Sequence, residues 1–177
     1  MKLTISIVAM IVMLIVSVCC FFIFRKKHHQ WYIRRARQIY NRINAGQSHY
    51  TPAQLMLYLR TVNPYIFEEL LLYAFERKGY KVIRNYRYSG DGGIDGQIII
   101  NGKRIPIQAK RYKSYIRREH VVSFAHIVER RKLPFGLFIH TGRTGGATGD
   151  PSSSLVRIVS GERLVDLLYT NRTFRLD

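Results

Sequence analysis

Acidic residues are missing from more than the first third of this chain: no Asp or Glu occurs before Glu68. Only 11 acids stand against 29 Lys and Arg in the 177 residues, for a formal net charge of +18. Any metal or carboxylate chemistry is therefore confined to the C-terminal part. A balance this basic suits a polyanionic partner, either nucleic acid or an anionic membrane surface. Cysteine is also scarce. Cys19 and Cys20 are the only two and they are adjacent. Neighbouring cysteines do not readily bridge one another, which excludes a disulfide framework and gives no sign of an oxidising compartment. Both sit in an apolar run, where they read as membrane-buried free thiols. There is no internal repeat. Disorder is excluded as well, because 47% of the residues are hydrophobic and that is enough for a core.

Residues 3–24, "LTISIVAMIVMLIVSVCCFFIF", carry no charge. As a helix these 22 residues extend about 33 Å, enough for a hydrocarbon core of roughly 30 Å. A cleaved signal peptide is the rival reading, but its apolar stretch runs only about 7–15 residues before a small-x-small site. Val18 before Cys19 argues against a lipoprotein site. The flank "RKKHHQWYIRRAR" follows, against a lone Lys2 on the other side. Positive charge stays inside, so the sequence predicts a single-pass inner-membrane anchor with a cytoplasmic C-terminal part. Trp31 and Tyr32 suit the interfacial belt, as do His28 and His29.

Three segments follow from this reading: a span over 3–24, a basic juxtamembrane helical linker over 25–62, and a domain over 63–177. In the linker, Ile33, Ala36, Tyr40 and Ile43 share one side of a helix. That helix either lies on anionic lipid or nucleic acid, or is a solvated connection. Thr51-Pro52 and Asn63-Pro64 each mark a helix start. In the second helix Phe67, Leu70, Leu71, Ala74 and Phe75 form an apolar stripe. Beyond it the pattern predicts strand 81–88, hairpin 94–110, helix 119–132, strand 135–141, loop 142–154, strand 155–159 and helix 161–169. Strands and helices mixed in this order indicate one α/β domain.

The hairpin "DGGIDGQIIINGKRIPIQAK" carries the chemistry. Asn101-Gly102 between two apolar runs is a type I′ turn signal, because both central residues need positive φ. Closing the turn there sets Ile100 against Lys103, Asp95 against Gln108 and Gly93 against Lys110. With a period of 2, Asp95, Gln97, Gln108 and Lys110 share one face. Ile98, Ile100, Ile105 and Ile107 share the other, which is the core face. Pro106 cannot donate to a ladder, so an edge position, a bulge or a register slip by one is an alternative. A carboxylate and an amide carbonyl are hard ligands suited to Mg²⁺, and a lysine beside them can orient water or offset charge on phosphate. Glu68, early in the preceding helix, is the best further acid, and Glu69 competes with it. The bland reading is a solvated polar face with Lys110 in a surface ion pair. His120, His126 and His140 have no partner spacing and read as structural, and Asp91 as a loop acid or a supporting one.

The segments "NPYIFEELLLYAFERKGYKV", "GDGGIDG", "IQAKRY", "FGLFIHTG" and "VRIVSGERLVDLL" together resemble the PD-(D/E)xK nuclease superfamily, and within it the Mrr-like restriction endonucleases. The resemblance covers residues 63–170 and extends to membrane-tethered members with an N-terminal anchor. It implies a restriction-endonuclease-like mixed sheet flanked by helices. It implies catalytic residues Asp95, Gln108, Lys110 and Glu68, with Asp95, Glu68 and Gln108 as ligands of Mg²⁺ or Mn²⁺ and no small-molecule cofactor. Gln108 stands where the superfamily name has an acid, which leaves one fewer negative charge at the metal. DNA is the implied substrate, and Lys103, Arg104, Arg111, Lys113, Arg117 and Arg118 are the candidate phosphate contacts. Their bland reading is a solvated basic face. Two functions follow: a membrane-anchored metal-dependent DNA endonuclease, or an inactive membrane-anchored nucleic-acid-binding module on the same fold. Oligomeric state has no sequence signal.

Overall fold

The computed structural model describes residues 2–46, 50–85, 93–145 and 155–176, without the side chains of 2–9, 11 and 22–26. Asp91, most of the expected loop 142–154 and the end of the expected strand 81–88 lie outside these residues. The element order is α1 (Lys2–Asn44), α2 (Pro52–Thr61), α3 (Pro64–Arg77), β1 (Lys81–Arg84), β2 (Gly96–Ile100), β3 (Lys103–Lys110), α4 (Arg118–Arg130), β4 (Gly136–His140), β5 (Val156–Val159) and α5 (Gly161–Leu168). The five strands form one sheet in the order β1-β2-β3-β4-β5. The first three pair antiparallel and the last three parallel. This is the mixed α/β architecture expected of a restriction-endonuclease-like domain.

The helix starts follow their local chemistry. Thr51 and Gln54 close a reciprocal capping box with Pro52 at the first helical position, which satisfies two otherwise orphaned amides. Asn63 accepts from the Tyr65 amide, with Pro64 at the start of α3. Ser160 precedes α5 without a side-chain cap bond, and its hydroxyl meets that of Thr144 at 3.1 Å instead.

Residues 2–44 form one continuous helix rather than a span and a separate linker helix. Among the described residues no helix is long and apolar enough to cross a membrane. The span expected over residues 3–24 falls partly on side chains outside the described set. Those described between Met10 and Phe21 are exposed, Met13 at 75% and Leu14 at 66%.

The later part of α1 is not solvated. Ala36, Ile39, Tyr40 and Ile43 join Leu55 and Leu59 of α2 in the main core, with α3, α5 and one sheet face. Phe124, Ala125 and Val128 of α4 cover the other face over Phe138 and Val156. Helices on both faces cover the partly parallel centre of the sheet, while β1 and the start of β3 stay partly open to solvent.

The hairpin turns where expected, with Asn101 at φ 49° and Gly102 at φ 76°. Ile100 pairs with Lys103, and the register holds through Gly96 and Ile107. Pro106 lies opposite Gln97 in β3, an interior strand, with no bulge and no slip. Hydrogen-bonded pairs alternate from the turn, so Gln97 and Pro106 form a non-bonded pair. The β4 pairing begins only at Ile107. No ladder bond is lost at the proline.

The pairing expected to continue to Asp95 and Gly93 does not. The ladder begins only at Gly96, and before it the Asp95 amide donates to the Ile107 carbonyl at 2.8 Å. α3 approaches β2 closely: a Cβ on Gly96 would stand 2.6 Å from Leu72. This close packing carries the start of α3 to the C-terminal end of β3.

Candidate active site

Pro64, Phe67 and Glu68 of α3 and Ala109, Lys110 and Arg111 of β3 and its exit line a cleft of about 210 Å³. Phe67 is buried and fixes the rotation of α3, so Glu68 turns toward the end of β3. Burial, then the charges of Asp95 and Glu69, push the Glu68 carboxyl up to about 8, against the opposing pull of Lys110 and Arg111. Burial also pushes Asp95 up to about 6, opposed by the Ala109 amide and Lys110. Two half-buried, partly desolvated carboxyls near one lysine favour a bound cation, because desolvation penalises their charged forms.

Asp95 is fixed at the strand end. Its Oδ2 accepts from the Ala109 amide at 2.7 Å. Gln108 is buried and its Nε2 donates to the Gly93 carbonyl at 2.7 Å. Gly93 has φ 90°, and a Cβ there would sit 2.4 Å from Gln108 Nε2. A glycine is therefore required on both counts. Gln108 Oε1 is buried without a hydrogen-bond partner, an acceptor left with its desolvation cost unmet. Two carboxylates, with the uncommitted oxygen of Gln108 on the neighbouring stretch of β3, are hard donors of the kind that suit Mg²⁺ or Mn²⁺. Among the described residues no group of three or more His, Cys, Asp or Glu is placed to hold a metal. The set here depends on the amide.

Glu69 does not compete for this site. With exposed Tyr65 and half-buried Tyr73 it forms a second row on α3, meeting Tyr32, His29 and Tyr40 of α1. Its Oε2 accepts from Arg84 Nε at 2.9 Å, and Arg84 also grips Glu76. His29, expected at the interface, is buried 3.8 Å from Glu69.

The expected phosphate contacts divide. Arg111 lines the cleft, and its Nη1 donates to the Arg60 carbonyl at 3.0 Å. Lys113, Arg117 and Arg118 are exposed on the exit of β3 and the start of α4. Lys103 and Arg104 are exposed at the far end of β3, roughly 20 Å from Lys110 at a strand rise of about 3.3 Å per residue. Neighbourhood in sequence does not bring them to the site.

His120 receives a contact from the Tyr112 hydroxyl at 2.5 Å, and exposed His126 stands 3.8 Å from Glu129. His140, the register neighbour of Lys110, is fully buried, and burial lowers it to about 4. Its Nδ1 accepts from the Gly142 amide at 3.2 Å.

Arg60 went unseen in the sequence. Its Nε and Nη2 donate to the Thr141 carbonyl at 3.1 and 2.8 Å, tying α2 to the end of β4. An arginine late in an amphipathic helix gives no signal of such a long-range bond.

Residues 59–168 match the Mrr restriction endonuclease catalytic-domain family. The chain is 31% identical over 122 residues to the type IV methyl-directed restriction enzyme EcoKMrr of Escherichia coli (strain K12). That stretch covers 64% of this chain and 40% of the enzyme, so the chain spans less than half of the relative's length. No solved structure matches it. The chain belongs to the Mrr-type restriction endonuclease family, and its domain is of the nuclease class.

The raised carboxyls set a pH dependence. A carboxyl raised on folding stabilises the chain below its unfolded pKa, and that contribution is lost as pH rises through the folded value. For Glu68 this window runs from about 4.5 to about 8, and for Asp95 from about 3.8 to about 6. Without metal, the melting temperature of the parent should fall between pH 5 and 8 relative to Glu68→Gln. Mn²⁺ should restore more of it at pH 8 than at pH 5. Parallel melting curves for parent and variant across this range would show that Glu68 is not desolvated.

Proposed function

We propose that the chain is a divalent-metal-dependent DNA endonuclease anchored to the inner membrane through residues 3–24, with its catalytic domain on the cytoplasmic side. The observation that carries the nuclease reading is the meeting of Glu68, Asp95, Gln108 and Lys110 at the end of β3, with both carboxyls desolvated and one amide oxygen uncommitted. Asp95, Glu68 and Gln108 Oε1 would hold the metal. A bound Mg²⁺ or Mn²⁺ supplies Lewis acidity to the scissile phosphate and lowers the pKa of water. The chain's residues do the rest. Asp95, locked by the Ala109 amide, presents its remaining oxygen. Lys110 orients the attacking water and offsets charge developing on the phosphate. Arg111, Lys113, Arg117 and Arg118 hold the DNA backbone beside the cleft, from the exit of β3 to the start of α4. Methyl direction belongs to the name of the bacterial relative.

The variant series separates these roles. Lys110→Ala and Asp95→Asn should each lower Mg²⁺-dependent cleavage of plasmid DNA on the order of 10²–10³-fold, with DNA binding and a cooperative fold retained. Glu68→Gln should lose as much or less. Glu69→Gln should instead cost about 2 kcal/mol of stability, because it breaks a buried contact with Arg84, while a folded sample still cuts. Well-folded Lys110→Ala and Asp95→Asn proteins that cut at the parental rate would refute the site. A parent that binds DNA but never cuts it with any divalent metal would favour the inactive binding module.

The anchor is supported by the uncharged run within α1, its basic flank and the exposed apolar side chains between Met10 and Phe21. Protease added outside spheroplasts should leave the nuclease domain whole and membrane-associated. Its digestion there would overturn the topology, and its recovery in the soluble fraction would overturn the anchor.

A further inference from the structure

We infer that Tyr115, backed by Arg143, is a stacking platform for a nucleobase of the DNA substrate a few nucleotides from the cleavage site. The inference rests on the nuclease reading and adds a contact that metal chemistry does not require. Its basis is that the exits of β3 and β4 remain stapled together beyond the sheet. The Thr141 amide donates to the Lys110 carbonyl at 3.3 Å, and the Tyr112 amide to Thr141 Oγ1 at 3.1 Å. The Arg143 amide donates to the Ser114 carbonyl at 2.9 Å, and the Ile116 amide to the Arg143 carbonyl at 3.0 Å. These two bonds bracket a parallel bridge between Tyr115 and Arg143. A Cβ on Gly142 would stand 2.5 Å from the Ser114 carbonyl oxygen, so the glycine permits this close approach. Tyr115 is thus held on a built extension of the active-site strand.

Tyr115 nevertheless remains 58% exposed. The Arg143 guanidinium carbon lies 5.9 Å from the ring centroid, and a Cβ on Gly145 would be 3.1 Å from the ring. One side of the ring is backed while much of it faces water. The exposed side chains of Lys113 and Arg117 flank it. An aromatic face among cations suits a ligand that offers both phosphate and a π surface. Single-stranded nucleic acid is bound in this way, by bases stacking on aromatic side chains in a positive groove. Lipid headgroups and acidic peptides would use the cations but leave the ring idle. Five residues of extended chain reach at most about 17 Å, and one strand of DNA advances about 3.4 Å per nucleotide. The stacked base therefore lies within about five nucleotides of the phosphate at Lys110. It is a base outside the helical stack: unpaired, terminal or extruded.

The test uses the full-length Lys110→Ala protein in detergent, with a 30-nucleotide DNA carrying a single 5-iododeoxyuridine moved position by position. Irradiation should crosslink one or two adjacent positions to Tyr115, identified by mass spectrometry of the peptide. Tyr115→Ala should abolish that crosslink and weaken DNA binding about 5- to 100-fold. Tyr115→Phe should retain binding. Melting temperature should be unchanged in both, which a structural role for the ring would not allow. Unaltered binding by folded Tyr115→Ala, or crosslinks that map only to other residues, would overturn the inference. Were the parent to cut DNA and Lys110→Ala not, such a result would leave the nuclease reading standing. A parent that neither binds nor cuts DNA would overturn both.

Discussion

Glu68 and Asp95 come from different elements, and the fold half-buries both beside Lys110. Burial of carboxyls is costly unless they are neutral, paired or bound to a cation, so their meeting constrains the surrounding architecture. α3 has to lie close on the sheet, which the bare backbone at Gly96 permits. Its rotation is fixed by Phe67 on one side and by the row Tyr65, Glu69 and Tyr73 against α1 on the other. The chain leaves the β2–β3 ladder just before Gly96, which frees Asp95 to accept from Ala109 instead of continuing the strand. Glycine at 93 admits the Gln108 amide.

The same packing links the N-terminal helix to the site. Tyr40 and Ile43 of α1 are buried in the main core, and Asn44 donates to the Leu168 carbonyl at 3.0 Å. α3 therefore lies between the sheet and a helix that continues toward the N-terminus. Whatever holds the earlier part of α1 also sets how the cleft is presented. The apolar face at Ile33, Ala36, Tyr40 and Ile43 is a domain-packing face in the structure.

The sequence was most legible where the chemistry is local. Asn101-Gly102 demands positive φ, and that fixed the turn, the register and the side of the sheet on which Gln108 and Lys110 lie. Caps at Thr51 and Asn63 were readable for the same reason. Pro106 was ambiguous because a missing amide is harmless or disruptive depending on a neighbouring strand that comes 30 residues later. Glu68 and Glu69 are adjacent, and a single apolar stripe cannot tell which faces the site. The burial of Glu69 against Arg84 and His29 decides it, and that contact exists only because α1 returns over the helix. Arg60, Arg84 and His29 found their partners through tertiary packing alone. Lys103 and Arg104 are near Lys110 in number but at the other end of an extended strand.

The central claim is that the desolvated carboxyls are a divalent-metal site, and calorimetric titration of Mn²⁺ into the protein near pH 7 tests it most directly. Carboxyls must ionise to ligate, so binding should release protons. Enthalpies measured in two buffers of different ionisation enthalpy should reveal that release. The account predicts saturable binding with net proton release in the parent, a smaller release in Glu68→Gln and strongly weakened binding in Asp95→Asn. Binding without proton release, or equal affinity in Asp95→Asn, would contradict it.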